Sequence, residues 1–270
     1  IRYLTRAGFE ETKILTNARS IADLVERPDL PDARRQALQL VLDARDYAAQ
    51  ALAFEAKDTY TTFTDVGRDT LLLVLSAAPK DCICPVTWTY PIVGRIPYKG
   101  FFDPDMARRE EAKLADRGYD TSLRPSSAFS TLGWFNDPLL STALFRDPVE
   151  LAALVFHEIA HNTLYVKSAT PFNESFAQMA GYRAAQEFFR SRGDSAQAAR
   201  AAARWQDEQV MGAFYDDLLS RLEAFYATKP DSAALAQGRA DIGRWYREQL
   251  EGPVGARLSF DVGRLAEAPQ

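Results

Sequence analysis

Apolar residues recur at helical spacing near both ends of this chain and at strand-like spacing between them. Ile14, Leu15, Ala18, Ile21, Leu24 and Val25 predict a helix over residues 11–27, ended by Pro28 and Pro31. A second helix is expected over residues 32–56. Short strands follow at 60–66, 71–76 and 87–98, the last broken by Pro91 and Pro97. Residues 106–117 read as a helix closed by Gly118. Residues 127–135 alternate small polar with apolar positions and stop at Asn136-Asp137-Pro138, as a strand does. From 148 to 156 the apolar residues are dense all round, the mark of a buried helix. Asp147 suits its N-cap, Pro148 its first position, and Glu150 the far side of a capping box. Beyond Gly193 the pattern is helical through Tyr226 and again from 232 to 251. There Trp205, Phe214, Tyr215, Leu218, Leu222 and Phe225 form the expected packing stripe.

These elements predict an α+β protein dominated by helices, with a small mixed sheet beside the helix that continues past residue 156. Its parts read as a helical segment (1–60), a mixed core (61–193) and a second helical segment (194–270), together one compact unit. At 270 residues and 47% hydrophobic composition the chain is long enough to bury a large core. A net charge of −5 with no basic stripe argues against nucleic acid as a partner. No apolar run is long enough to span a bilayer. Cys82 and Cys84 stand one residue apart in a strand-like context, where alternate side chains share a face and a bridge would be strained; two thiols are expected.

The chemistry is concentrated in one place. The chain has two histidines, and both lie in His157-Glu158-Ile159-Ala160-His161. On a helix, positions i and i+4 differ by about 40° in azimuth, so both rings converge on one side while Glu158 points to a neighbouring azimuth. Two imidazole ligands and a general base for metal-assisted hydrolysis follow. A catalytic zinc takes three protein ligands, and with no third histidine and the cysteines far upstream the third must be a carboxylate. Glu174 is nearest, with Glu187 as fallback. Residues 167–171 read as a turn, with Thr170 as N-cap and Pro171 opening a second helix, which sets Glu174 opposite His157 and His161. One zinc ion per chain is the expected cofactor, since two imidazoles and a carboxylate suit it. An oxyanion donor beside the metal would be a tyrosine or an arginine, with Tyr165 and Tyr182 as candidates. Gln178, one turn after Glu174, is placed to support a ligating imidazole. Asn173 is placed to orient the nearby backbone, and Asn162 to cap the helix end.

The segments HEIAHN, LYVKSATPFNESFA, STLGWFNDPLLST and YPIVGRIPYKGFFD resemble the bacterial family of predicted zinc aminopeptidases, whose pattern is HExxH followed by Asn-Glu-Ser-Phe-Ala. The likeness runs from residue 88 to about residue 189. It implies a zincin-like fold and a gluzincin-like metallopeptidase acting on peptides, with His157, His161 and Glu174 on zinc and Glu158 as base. By the same resemblance, Ser130, Thr131, Leu132, Gly133 and Trp134 would be the strand edge along which the substrate backbone lies. Asp137 is the closest carboxylate for a substrate ammonium. A periplasmic or envelope-associated location is also implied. The chain departs from the family near its end, where residues 252–259 stand in place of an Asn-Asn pair and a following tyrosine. The alternative is a zinc-binding inactive relative serving as a binding or scaffold protein.

Overall fold

Residues 11–27, a single helix by periodicity, are broken in the computed structural model, which describes residues 12–68, 70–90, 94–126, 138–144 and 147–263. Arg19 and Ser20 leave the helical path to pair antiparallel with Phe63 and Thr62, and the Ser20 hydroxyl then caps a new helix by accepting the Asp23 N–H. A strand pairing and a fresh N-cap outweigh continuation of one amphipathic face. In chain order the elements are β1 (Arg19–Ser20), α1 (Ile21–Val25), α2 (Asp32–Gln50), β2 (Thr62–Thr64), β3 (Leu72–Ala78), β4 (Trp88–Tyr90), β5 (Gly94–Ile96), β6 (Lys99–Phe101), α3 (Pro104–Asp116), β7 (Asp120–Ser126), β8 (Leu139–Leu140), α4 (Pro148–Thr163), α5 (Thr170–Ser191), α6 (Ser195–Ala227) and α7 (Ser232–Glu251). The fold is α+β and helix-dominated, with small mixed sheets. None of the described helices is long and apolar enough to cross a membrane.

The chain forms two units interleaved in the sequence: residues 1–72 with 125–205, and 73–124 with 206–270. In the first, β2 lies between β1 and β8, parallel to β8 with Phe63 opposite Leu139. Its core joins α1, α2, α4, α5 and the start of α6. Tyr47, Phe156 and Phe188 meet there edge to face, with ring centroids 5.5–6.3 Å apart.

The second unit carries the β6–β3–β7 sheet and the β4–β5 hairpin. Asp103 caps α3 by accepting the N–H groups of Asp105 and Met106. Met211, Phe214 and Leu250 form a small cluster with Trp245 and Tyr246 beside it. The expected stripe on α6 is corrected at one position: Phe214 is buried and Trp205, Leu218, Leu222 and Phe225 are half-buried, but Tyr215 is exposed. Asp207, Val210 and Met211 are buried with Phe214, and Asp207 accepts both the amide and the hydroxyl of Ser259. The cysteines are corrected as well. They sit in a turn after β3 rather than in a strand, which brings their Cα atoms to 5.3 Å, within bridging range, and they are joined as a disulfide.

Candidate metal centre

Helix α4 starts as its sequence dictates. The Asp147 carboxylate accepts the N–H groups of Val149 and Glu150, and Pro148 occupies the first turn. The capping box is not completed, because Glu150 turns its carboxylate outward from the helix end. It accepts the Tyr182 hydroxyl at 3.0 Å and pairs with Arg204 at 3.2 Å. Val149, Leu151, Ala152, Val155, Phe156 and Ile159 are buried, which leaves His157 and His161 along one edge.

Helix α5 packs antiparallel to α4 across small residues. At Gly181 the two backbones are so close that a Cβ would lie 2.7 Å from the Ala153 carbonyl and 3.3 Å from the His157 Cβ. Glycine is needed there for close approach, not for an unusual backbone angle. An isolated glycine within a helical pattern was the signal available in the sequence. The cap of α5 falls on Ala169 rather than Thr170, and Pro171 sits in the first turn.

This crossing brings the Glu174 carboxylate to 3.5 Å from His157 Nε2 and 3.7 Å from His161 Nε2, with the two Nε2 atoms 3.2 Å apart. All three donors lie within 4.8 Å of one another. Ligands held tetrahedrally at Zn–N distances of ~2.0–2.1 Å stand about 3.3 Å apart, so the spacing and the donor types fit a single zinc-sized ion. The imidazoles are largely buried and the carboxylate is more than half exposed. Burial lowers the His157 pKa, and His161 lowers it further, against the opposing pull of Glu174 and Gln178. Both lowering effects favour the neutral imidazole, the form that donates a lone pair to a metal.

The surrounding residues divide by position. Gln178 stands close enough to the His157 ring to oppose the lowering of its pKa. Asn173 is buried, and its amide both accepts the Val166 N–H (2.8 Å) and donates to the Val166 carbonyl (2.9 Å), fastening the turn between α4 and α5 one residue before Glu174. Tyr165 lies on that turn, exposed. Tyr182 stands with Glu150, two helical turns from His157, or ~10 Å along the axis at 1.5 Å per residue. It braces α5 against α4 at a distance from the three donors. Glu187 pairs with Arg190 on an exposed face, away from the role of fallback ligand. Asn162 does not cap its helix; its amide donates to the Thr59 hydroxyl at 2.7 Å. Glu158 is half-buried on α4 between the two histidines. The expected substrate strand, Ser130, Thr131, Leu132, Gly133 and Trp134, lies outside the described residues, as does Asp137.

Among known proteins, a family model described as "Putative aminopeptidase" matches residues 2–256, and the chain belongs to that family. Its description is that of a peptidase, with peptide as the substrate class. Neither a curated protein nor a solved structure matches the chain.

Proposed function

We propose that this member of the aminopeptidase family is a zinc metallopeptidase in which His157, His161 and Glu174 hold the ion and Glu158 is the general base. The observation that carries the reading is the convergence of two Nε2 atoms and a carboxylate within 4.8 Å, from residues four apart on one helix and a third on its antiparallel neighbour. Bound there, zinc would supply Lewis acidity toward a substrate carbonyl and a lowered pKa for water.

The chain's own residues would do the rest. Glu158, at the adjoining azimuth of α4, takes the proton of the attacking water and passes it to the leaving amine. Gln178, beside the His157 ring, would orient that imidazole toward the ion. Asn173 fixes the turn that delivers Glu174. Tyr165, exposed on that turn, is the proposed oxyanion donor; Tyr182 is already engaged with Glu150. The segment from Ser130 to Trp134 is proposed as the edge that holds peptide backbone.

The test is cleavage of a mixed peptide library by the native chain and by Glu158→Gln, with zinc content measured in both. The reading expects about one zinc in each protein and a loss of roughly 10²- to 10⁴-fold in cleavage rate in the variant. Cut positions confined to N-termini would make the enzyme an aminopeptidase in the strict sense. Zinc in both proteins with cleavage in neither would favour a binding protein.

A further inference from the structure

Strained backbone is concentrated around one end of α4. Among the described residues five non-glycine positions adopt positive φ, and three of them, Ala53 (55°), Lys57 (43°) and Tyr60 (53°), fall within eight residues of one loop. A fourth, Ser168 (63°), is in the turn that leaves α4. Side chains with a Cβ avoid this region unless surrounding contacts over-determine it, and such strain gathers where geometry matters.

The contacts that hold the loop identify what it serves. The Asn162 amide donates to the Thr59 hydroxyl at 2.7 Å, and the Glu55 N–H donates to the Thr163 hydroxyl at 2.9 Å. Lys57 Nζ reaches the Asn162 carbonyl at 3.4 Å. Phe54 packs against the small cluster of Ala160, Ala177 and Ala180, where α4 and α5 meet. On its other side the loop is tied to α2, through the Arg45 guanidinium on the Lys57 carbonyl and the Phe54 N–H on the Ala48 carbonyl. The loop therefore grips Ala160, Asn162 and Thr163, which surround His161 in the last turn of the helix.

His161 needs such a grip more than His157 does. Gln178 stands beside the His157 ring, and Gly181 packs directly against the His157 backbone and Cβ. Among the described residues no group bonds His161 Nδ1, although that atom is buried. A ligating imidazole is ordinarily oriented by a partner on its second nitrogen. At His161 the orientation has to come from the backbone that carries the ring.

We propose that the loop of residues 53–60 is a positioning clasp, in which Thr59 and Asn162 hold the final turn of α4 so that His161 meets His157 and Glu174. The proposal rests on the reading of those three residues as a zinc site. It concerns positioning residues, none of which touches the ion.

The experiment uses the full chain with Thr59→Val, Thr59→Ser and His161→Ala. Zinc affinity is measured by competition with a chromophoric chelator, and amide hydrogen exchange is followed in the metal-free proteins. Thr59→Val removes the hydroxyl but keeps the shape, so exchange is expected to speed up at residues 161–164 while the rest of α4 stays protected. Zinc affinity should fall by roughly tenfold, the lower end for the loss of a supporting partner. Thr59→Ser should restore both. A purely structural contact would lower thermal stability without changing zinc affinity in the folded protein. Thr59→Val with wild-type zinc affinity overturns the proposal, whether or not exchange changes. His161→Ala separates the two readings: if it binds zinc as tightly as wild type, the assignment of the site fails, and the positioning role falls with it.

Discussion

The two ends of the α4–α5 hairpin are built on opposite rules. At the closed end, Phe156 and Phe188 are buried against Tyr47, and Gly181 lets the backbones touch. At the open end, Leu164, Tyr165, Val166, Phe172 and Met179 are exposed, the turn is fastened by one buried amide, and the donor atoms face one another. Apolar packing fixes the crossing of the helices, and specific hydrogen bonds fix what projects from it. The candidate site lies at the mouth of that crossing, positioned by the core and open to solvent on the Glu174 side.

The sharpest way to break this contrast is to empty the closed end. Phe156→Ala should destabilise the fold by about 3–5 kcal/mol, as large buried aromatic truncations do, and chemical denaturation reads it directly. Next comes Gly181→Ala, which drives a methyl into the Ala153 carbonyl and toward His157; it should cost ~1–3 kcal/mol and also weaken zinc binding, since the crossing itself must shift. Asn173→Ala leaves the Val166 N–H and carbonyl without their partner, for a loss of roughly 1–3 kcal/mol, and should lower zinc affinity measured on the folded protein. The smallest effect should be a gain: Ala53→Gly relieves a left-handed backbone and is expected to raise stability by up to ~1 kcal/mol in thermal unfolding.

Sequence carried the local part of this design and missed the distant part. The α4 start was legible because Asp147, Pro148 and an apolar run act within a few residues of each other. The pairing of His157 with His161 was legible because helical geometry alone decides it. The break at Arg19–Ser20 was not, because it depends on a strand more than forty residues later. Nor was the destination of Glu150, a first-turn acid whose partners Tyr182 and Arg204 arrive from two other helices. Asn162 looked like a local cap and instead reaches Thr59, across a separation no periodicity encodes. Where a side chain's partner is local, residue type and spacing are enough; where it is set by tertiary packing, several partners compete for the same group and the fold chooses.

The central claim is that one zinc ion is held by two imidazoles from α4 and one carboxylate from α5. Zinc-edge X-ray absorption of the purified, zinc-loaded protein, with His157→Ala and Glu174→Gln alongside, tests it most directly. The account predicts one ion per chain, a nitrogen and oxygen shell at about 2.0–2.1 Å with the signature of two imidazoles, and loss of the ion or of one ligand in each variant. A zinc shell unchanged by both substitutions, sulfur scattering in place of nitrogen, or no bound zinc would contradict it.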